Sequence, residues 1–117
     1  SEESDISDVI YTIKHGYSTI AKNLINTHQC VDSEDNNGRI PIFVACEKEN
    51  LDIVKFLIEK GCDINKRDKD GRTPLFIACE REHLDIVKFL IEKGCDINKQ
   101  NKDGTTLLFD ACERGNL

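Results

Sequence analysis

Leu51-Asp52-Ile53-Val54-Lys55-Phe56-Leu57-Ile58-Glu59-Lys60-Gly61 returns without a single change at residues 84–94. The duplication extends to either side of this segment. Residues 38–70 laid on residues 71–103 differ at seven positions, and Gly38, Gly71 and Gly104 mark a period of 33. A further copy starts at Gly104 and reaches Leu117, about half-way through the period. Residues 5–37 follow the frame more loosely, with Ile20, Ala21, Leu24 and Ile25 aligned on Ile53, Val54, Leu57 and Ile58. A unit this short cannot bury its own apolar face, so consecutive copies must lean on one another as a solenoid.

Each copy reads as helix, turn, helix and loop. Thr73 suits an N-cap and Pro74 the first helical position. Leu75, Ala78 and Cys79 follow at i, i+3 and i+4, one apolar helix face. After a break at Glu82-His83, Ile86, Val87, Leu90 and Ile91 line one side of a second helix, and Asp85, Lys88, Glu92 and Lys93 line the other. Gly94 stands where a left-handed C-terminal cap is expected, and Asn98-Lys99-Gln100-Asn101-Lys102-Asp103-Gly104 has the composition of turns.

Arg72-Thr73-Pro74-Leu75-Phe76-Ile77-Ala78 resembles the T-P-L-H-x-A signature of ankyrin repeats, with Phe76 in the histidine place. Residues 84–91 resemble the second helix of that family. Gly94-Cys95-Asp96-Ile97-Asn98 resembles its closing G-A-D-V-N, with Cys for Ala. The resemblance is strong over residues 38–117 and weak over 5–37. It implies a mainly α repeat solenoid of stacked helix-turn-helix ankyrin repeats joined by β-hairpin-like loops. On this frame, residues 1–117 form one domain, with a divergent N-terminal capping repeat at 5–37, repeats at 38–70 and 71–103, and a partial C-terminal repeat at 104–117. The departures are specific. Ile40 replaces the capping Thr, and Thr106-Leu107 lacks the Pro. Phe43, Phe76 and Phe109 cannot make the hydrogen bonds of the family histidine, and Glu49 and Glu82 stand where the family prefers Gly. A left-handed backbone at those two glutamates would carry about 1–2 kcal/mol of strain each.

The resemblance implies a protein-binding module, a scaffold or adaptor presenting a concave surface built from hairpin tips and first-helix faces. Positions carried over are Asn36, Asn37, Arg39, Glu47 and Lys48; then Lys69, Asp70, Arg72, Glu80 and Arg81; then Lys102, Asp103, Thr105, Glu113 and Arg114. Arg39, Arg72 and Arg81 lead this group because arginine is enriched at binding hot spots. None of the seven differences between the two full copies falls in residues 84–94; they lie in the first helix, the inter-helix break and the hairpin. The freer side of the repeat is therefore the side expected to meet a partner, unless these positions are only solvated and drift. An alternative is a regulatory or spacer segment packed against other domains of its own longer chain. The chain has no Met, which points to a segment cut from a longer protein. In similar ankyrin proteins the Asn of the Asp-Ile-Asn hairpin, here Asn65 and Asn98, can be hydroxylated by an intracellular oxygenase; the plainer reading is that Asn closes a turn.

Charge and chemistry narrow the classes. A net charge of -6 argues against nucleic acid, which needs a basic stripe. Apolar runs are too short to insert in a membrane. Cys46, Cys79 and Cys112 recur at the repeat length, as do Cys62 and Cys95, while Cys30 stands apart. No C-x-x-C occurs, so the thiols read as small buried fillers, with neither disulfide nor metal role. Free thiols imply a reducing, intracellular and cytoplasmic setting. His15, His28 and His83 belong to no nucleophile–base pattern, and no phosphate loop or hydrolase motif is present. The expectation is a monomer with no enzymatic activity, no cofactor and no metal, whose partner is another protein.

Overall fold

The computed structural model describes residues 2–97, with side chains from Asp5 onward. Six helices follow in order: α1 (Glu2–Lys14), α2 (Ser18–His28), α3 (Pro41–Glu47), α4 (Leu51–Glu59), α5 (Pro74–Glu80) and α6 (Leu84–Glu92). They pair as α1 with α2, α3 with α4 and α5 with α6. The first helices then stack α1 on α3 on α5, and the second helices α2 on α4 on α6. The described part is a slab measuring 40 × 25 × 22 Å. One apolar cluster runs through it from Val9 to Cys95. The all-helical repeat fold is the one the sequence period implies.

Local chemistry sets the helix ends. Thr73 Oγ1 accepts a hydrogen bond from the Phe76 N–H at 3.2 Å, whereas Ile40 makes no such cap. Pro starts both α3 and α5, where its missing N–H costs nothing. At the head of the second helices the two copies differ. Asn50 Oδ1 accepts from the Ile53 N–H at 3.1 Å, and its Nδ2 donates to Ser18 Oγ at 3.0 Å. His83 caps nothing; its Nδ1 lies 2.8 Å from the Cys46 carbonyl oxygen, tying α6 to the preceding helix pair.

Glu49 and Glu82 do adopt left-handed backbones, with φ of 54° and 61°. Gly16 holds the same place between α1 and α2, with φ of 78°. Replacing Glu82 with Gly is expected to stabilise the fold by about 0.5–1 kcal/mol, because relief of left-handed strain exceeds the added freedom of the unfolded chain. A lower thermal midpoint for Glu82→Gly contradicts this.

The first helix pair departs from the frame in two ways. Gln29 is left-handed at the end of α2, and Gly61 and Gly94 are left-handed after α4 and α6. Gln29 to Gly61 is 32 residues, where Gly61 to Gly94 is 33, so the left-handed residue that closes α2 comes one position later in the frame. Cys30 and Cys62 share that shortened spacing, and both are buried. Ile20 is 52% exposed, although its frame partner Ile53 is fully buried. The reason is the stack itself: α4 and α6 each lie against a preceding second helix, and among the described residues nothing lies on that side of α2.

The loops have a hairpin shape without forming a strand among the described residues. In each, an Asp closes the tip. Asp35 Oδ1 accepts from the N–H groups of Asn37 and Arg39 at 2.8 and 3.1 Å. Asp68 Oδ1 accepts from Asp70 and Arg72, both at 2.9 Å. Successive loops are tied by Asp32 Oδ1, which accepts from the Asp63 N–H, and by Asn65 Oδ1, which accepts from the Asp96 N–H, each at 2.8 Å. Asn65 thus uses its side chain to tie one loop to the next, while its own turn is closed by its backbone N–H donating to Asp63 Oδ1.

Candidate protein-binding surface

First helices and loop tips leave their polar ends uncovered because their apolar faces are committed to the stack. Ile42, Phe43, Val44, Ala45 and Cys46 are all buried on α3, and Leu75 to Cys79 are buried on α5. What remains outside is the N-terminal approach to each first helix and its last residues. Asn36, Asn37, Lys69 and Asp70 are exposed at the loop tips, and Lys48 and Arg81 are exposed at the helix ends. Arg39, Arg72, Glu47 and Glu80 are half-buried. Lys102, Asp103, Thr105, Glu113 and Arg114 lie outside the described residues, as does Asn98.

The structure gathers several of these side chains into ion pairs. Arg39 Nη2 lies 2.8 Å from Glu47 Oε1, and Arg81 Nη2 from the next helix pair lies 3.4 Å from Glu47 Oε2. Glu47 therefore links two arginines across a repeat boundary. The Arg39 pair lacks the angle of a directed hydrogen bond, and its Nε and Nη2 are shut off from water. Its guanidinium also lies 5.5 Å from the centre of the Phe43 ring. Arg72 behaves differently at the same place in the next copy. Its Nε donates to Asp68 Oδ2 at 3.0 Å, and its Nη2 lies 3.5 Å from Asp70. Two of the three arginines singled out for recognition thus help hold the surface together. Only Arg81 keeps about half of its side chain in water, at 51%.

Sequence reading missed the acids that organise this face. Asp35 and Asp68 each precede the repeat's Arg by four residues, a spacing visible in the chain, and Asp68 is almost fully buried. Glu47, whose position makes it an expected contact, is also the bridge between Arg39 and Arg81.

Other reactive groups are put to structural use. Cys30, Cys46, Cys62, Cys79 and Cys95 are free and buried. Burial pushes the Cys62 thiol up to about 12 and raises Cys46 further above the ordinary thiol range. Cys30 and Cys95 are raised for the same reason. Such thiols stay protonated and unreactive near neutrality. His15 stacks between Tyr11 and Tyr17, with ring centres 4.2 and 6.1 Å away. His28 Nδ1 lies 3.3 Å from Asp5. Among the described residues no group of three His, Cys, Asp or Glu is arranged to hold a metal ion.

A family model described as ankyrin repeats (many copies) matches residues 42–91 and 75–117. No curated protein matches the chain.

Proposed function

The chain belongs to the ankyrin repeat family, and from that premise we propose that it is a scaffold or adaptor module whose first-helix and loop-tip side forms a concave docking surface for another protein. Ankyrin repeats are generally protein-interaction modules and typically non-enzymatic. The observation that carries the reading is the Arg39–Glu47–Arg81 chain. It crosses from one helix pair to the next and fixes the spacing of charged groups before any partner arrives. Preorganised polar groups lower the ordering cost of association.

The proposed division is a capping repeat at 5–37, repeats at 38–70 and 71–103 and a partial repeat at 104–117. Within it Asn36, Asn37, Lys48, Lys69, Asp70 and Arg81 are the exposed contacts, and Arg39, Glu47, Arg72 and Glu80 their half-buried support. Lys102, Asp103, Thr105, Glu113 and Arg114 extend the same surface by register. The net charge of -6 favours a basic partner and disfavours nucleic acid. No helix among the described residues is long and apolar enough to cross a membrane. Buried free thiols support an intracellular, cytoplasmic setting, and the module is proposed to act as a monomer.

A second reading, a regulatory segment packed against other parts of a longer chain, draws on one observation. Tyr11, Tyr17 and Ile20 are each at least half exposed on the first helix pair.

Affinity capture separates the two readings. Lys48→Glu and Lys69→Glu together reverse exposed charges while sparing Arg39, Arg72 and Arg81, which the fold pairs. The double variant is expected to lose the captured protein and keep the thermal midpoint. Unchanged capture by the variant overturns the docking surface. Loss of capture only on substituting Tyr11, Tyr17 and Ile20 supports the second reading.

A further inference from the structure

The opposite side of the slab carries cations that the fold leaves unpaired. Phe89 on α6 lies under two ammonium groups, Lys55 of α4 and Lys93 just past α6, each 5.5 Å from the ring centre. One helix pair earlier, Phe56 lies under Lys22 and Lys60, at 5.6 and 5.4 Å. The arrangement repeats at the 33-residue period: Lys22 with Lys55, Phe56 with Phe89, Lys60 with Lys93. Phe89 thus floors a groove between α4 and α6, and Phe56 takes the equivalent place under its own lysine pair between α2 and α4. The α4–α6 groove encloses about 310 Å³ and is lined by Lys55, Ile58, Glu59, Phe89 and Lys93.

Charge decides what this groove accepts. The arginines of the first-helix side are internally paired, and Lys22 pairs with Asp52 at 3.0 Å. Among the described residues neither Lys55, Lys60 nor Lys93 has a carboxylate within ion-pairing distance. Two like charges over one ring repel each other, and an anion between them is attracted by both. Glu59 in the lining leaves the α4–α6 groove with one net positive charge, and Asp52 on Lys22 leaves the Lys22–Lys60 pair with one as well, so charge matching calls for one carboxylate at each lysine pair. The exposed residues of this side, Asp52, Lys55, Glu59 and Lys60, are identical in the second copy; on the first-helix side the differences at Ile40, Ile42, Val44 and Asp68 are at buried positions, so the sequence differences between copies do not mark that side as the freer one.

We propose that the second-helix side is a second docking surface, one that takes an extended acidic segment of a partner protein, with a carboxylate between each lysine pair and an apolar side chain on each Phe floor. Packed helices lie about 8–10 Å apart. An extended chain covers about 10 Å in three residues. The fitting segment therefore carries an acid at every third position. This surface does not depend on the first-helix side and can fail without it.

The probe is a fluorescein-labelled 15-residue peptide with Glu at every third position and Leu among the intervening residues. A peptide of the same composition with its Glu residues in one block is the comparison. Fluorescence anisotropy with the whole chain is expected to show binding of the periodic peptide about tenfold tighter than the block peptide, weakening as salt rises. Lys55→Glu with Lys93→Glu is expected to weaken it by about tenfold. Lys55→Gln, which removes one charge and adds no repulsion, is expected to weaken it by about threefold, and it decides the matter if the double variant does not fold. Lys14→Glu, the same charge change away from the second helices, leaves binding within about twofold. Equal binding of the two peptides, equal binding by the lysine variants, or binding of phosphatidylserine vesicles with neither peptide bound would each overturn the proposal.

Discussion

Replacing Phe43 with alanine is expected to lower the free energy of unfolding by about 3–5 kcal/mol. The ring is fully buried. It sits on α3, which is packed by α1 on one side and α5 on the other. Helices held from both sides relax little into a cavity, so the loss should approach the upper end of the range for Phe. A second consequence follows from Arg39. Its guanidinium rests 5.5 Å from the ring centre, with Nε and Nη2 already closed off from water and without hydrogen-bond partners. Removing the ring takes away the support of that charge and loosens its pairing with Glu47. Phe76, one copy later, provides the comparison, because it holds the same place in the repeat but keeps 9% exposure. Its alanine variant should cost less. Small domains have about 5–15 kcal/mol of stability in all, so Phe43→Ala should shift the urea midpoint by a large fraction at little change in slope. A loss below about 1 kcal/mol, or a greater loss at Phe76, contradicts this reading.

Residues whose environment repeats are the ones the chain reveals. Ile53, Val54 and Leu57 are buried, and so are Ile86, Val87 and Leu90, because helical phase and a neighbour on either side are both implied by a 33-residue period. Left-handed backbones at Glu49 and Glu82 were legible for the same reason: Gly16 marks the equivalent turn. Ile20 shows the limit. Its phase is correct for a core position, yet burial also requires a neighbour, and periodicity within one copy does not tell whether one is present. The one-position delay of the left-handed residue after α2 was equally hidden, although the 32-residue step from Cys30 to Cys62 was its trace in the sequence.

The polar surface was less legible than the core. Arg39 and Arg72 occupy the same position and follow an Asp at the same distance, yet Arg39 turns to Glu47 and Arg72 to Asp68 and Asp70. One difference is visible in the chain: the place of Asp70 is taken by Asn37 in the earlier copy, so Arg39 has one carboxylate fewer on its loop side. Which carboxylate each arginine takes also depends on how deeply the pair is buried, and burial of Asp68 and of the Arg39–Glu47 pair is set by the stack. Of the lysines over Phe56 and Phe89, Lys93 falls on the polar side of its helix in the sequence pattern. Only the stacking of α4 on α2 and α6 on α4 brings Lys22 and Lys55 onto rings that lie far away in sequence.

Asp68→Ala is the second substitution with a large expected effect, a loss of about 2–3 kcal/mol. The side chain is buried, and its two oxygens serve different tasks. Oδ1 accepts from the N–H groups of Asp70 and Arg72, closing the loop tip, and Oδ2 accepts from Arg72 Nε. Alanine removes the acceptor of two backbone donors and one guanidinium, and a donor left without a partner costs more than the bond it made. Asp35→Ala removes the same two backbone bonds, to Asn37 and Arg39, but its oxygens do not hold Arg39, whose charge is paired with Glu47. It should cost less than Asp68→Ala. Asp68→Asn keeps the Oδ1 acceptor and forfeits the charge, so about 1 kcal/mol is expected; the copy that follows carries Asn101 at this place. Hydrogen exchange at the Arg72 amide provides a local readout. In Asp68→Ala that amide should exchange at the rate of an open loop while the α4 and α6 amides stay protected. In Asp68→Asn it should remain slow. Equal stability of Asp68→Ala and the parent chain, or fast exchange in both variants, contradicts the view that one buried carboxylate sets the conformation of the loop tip.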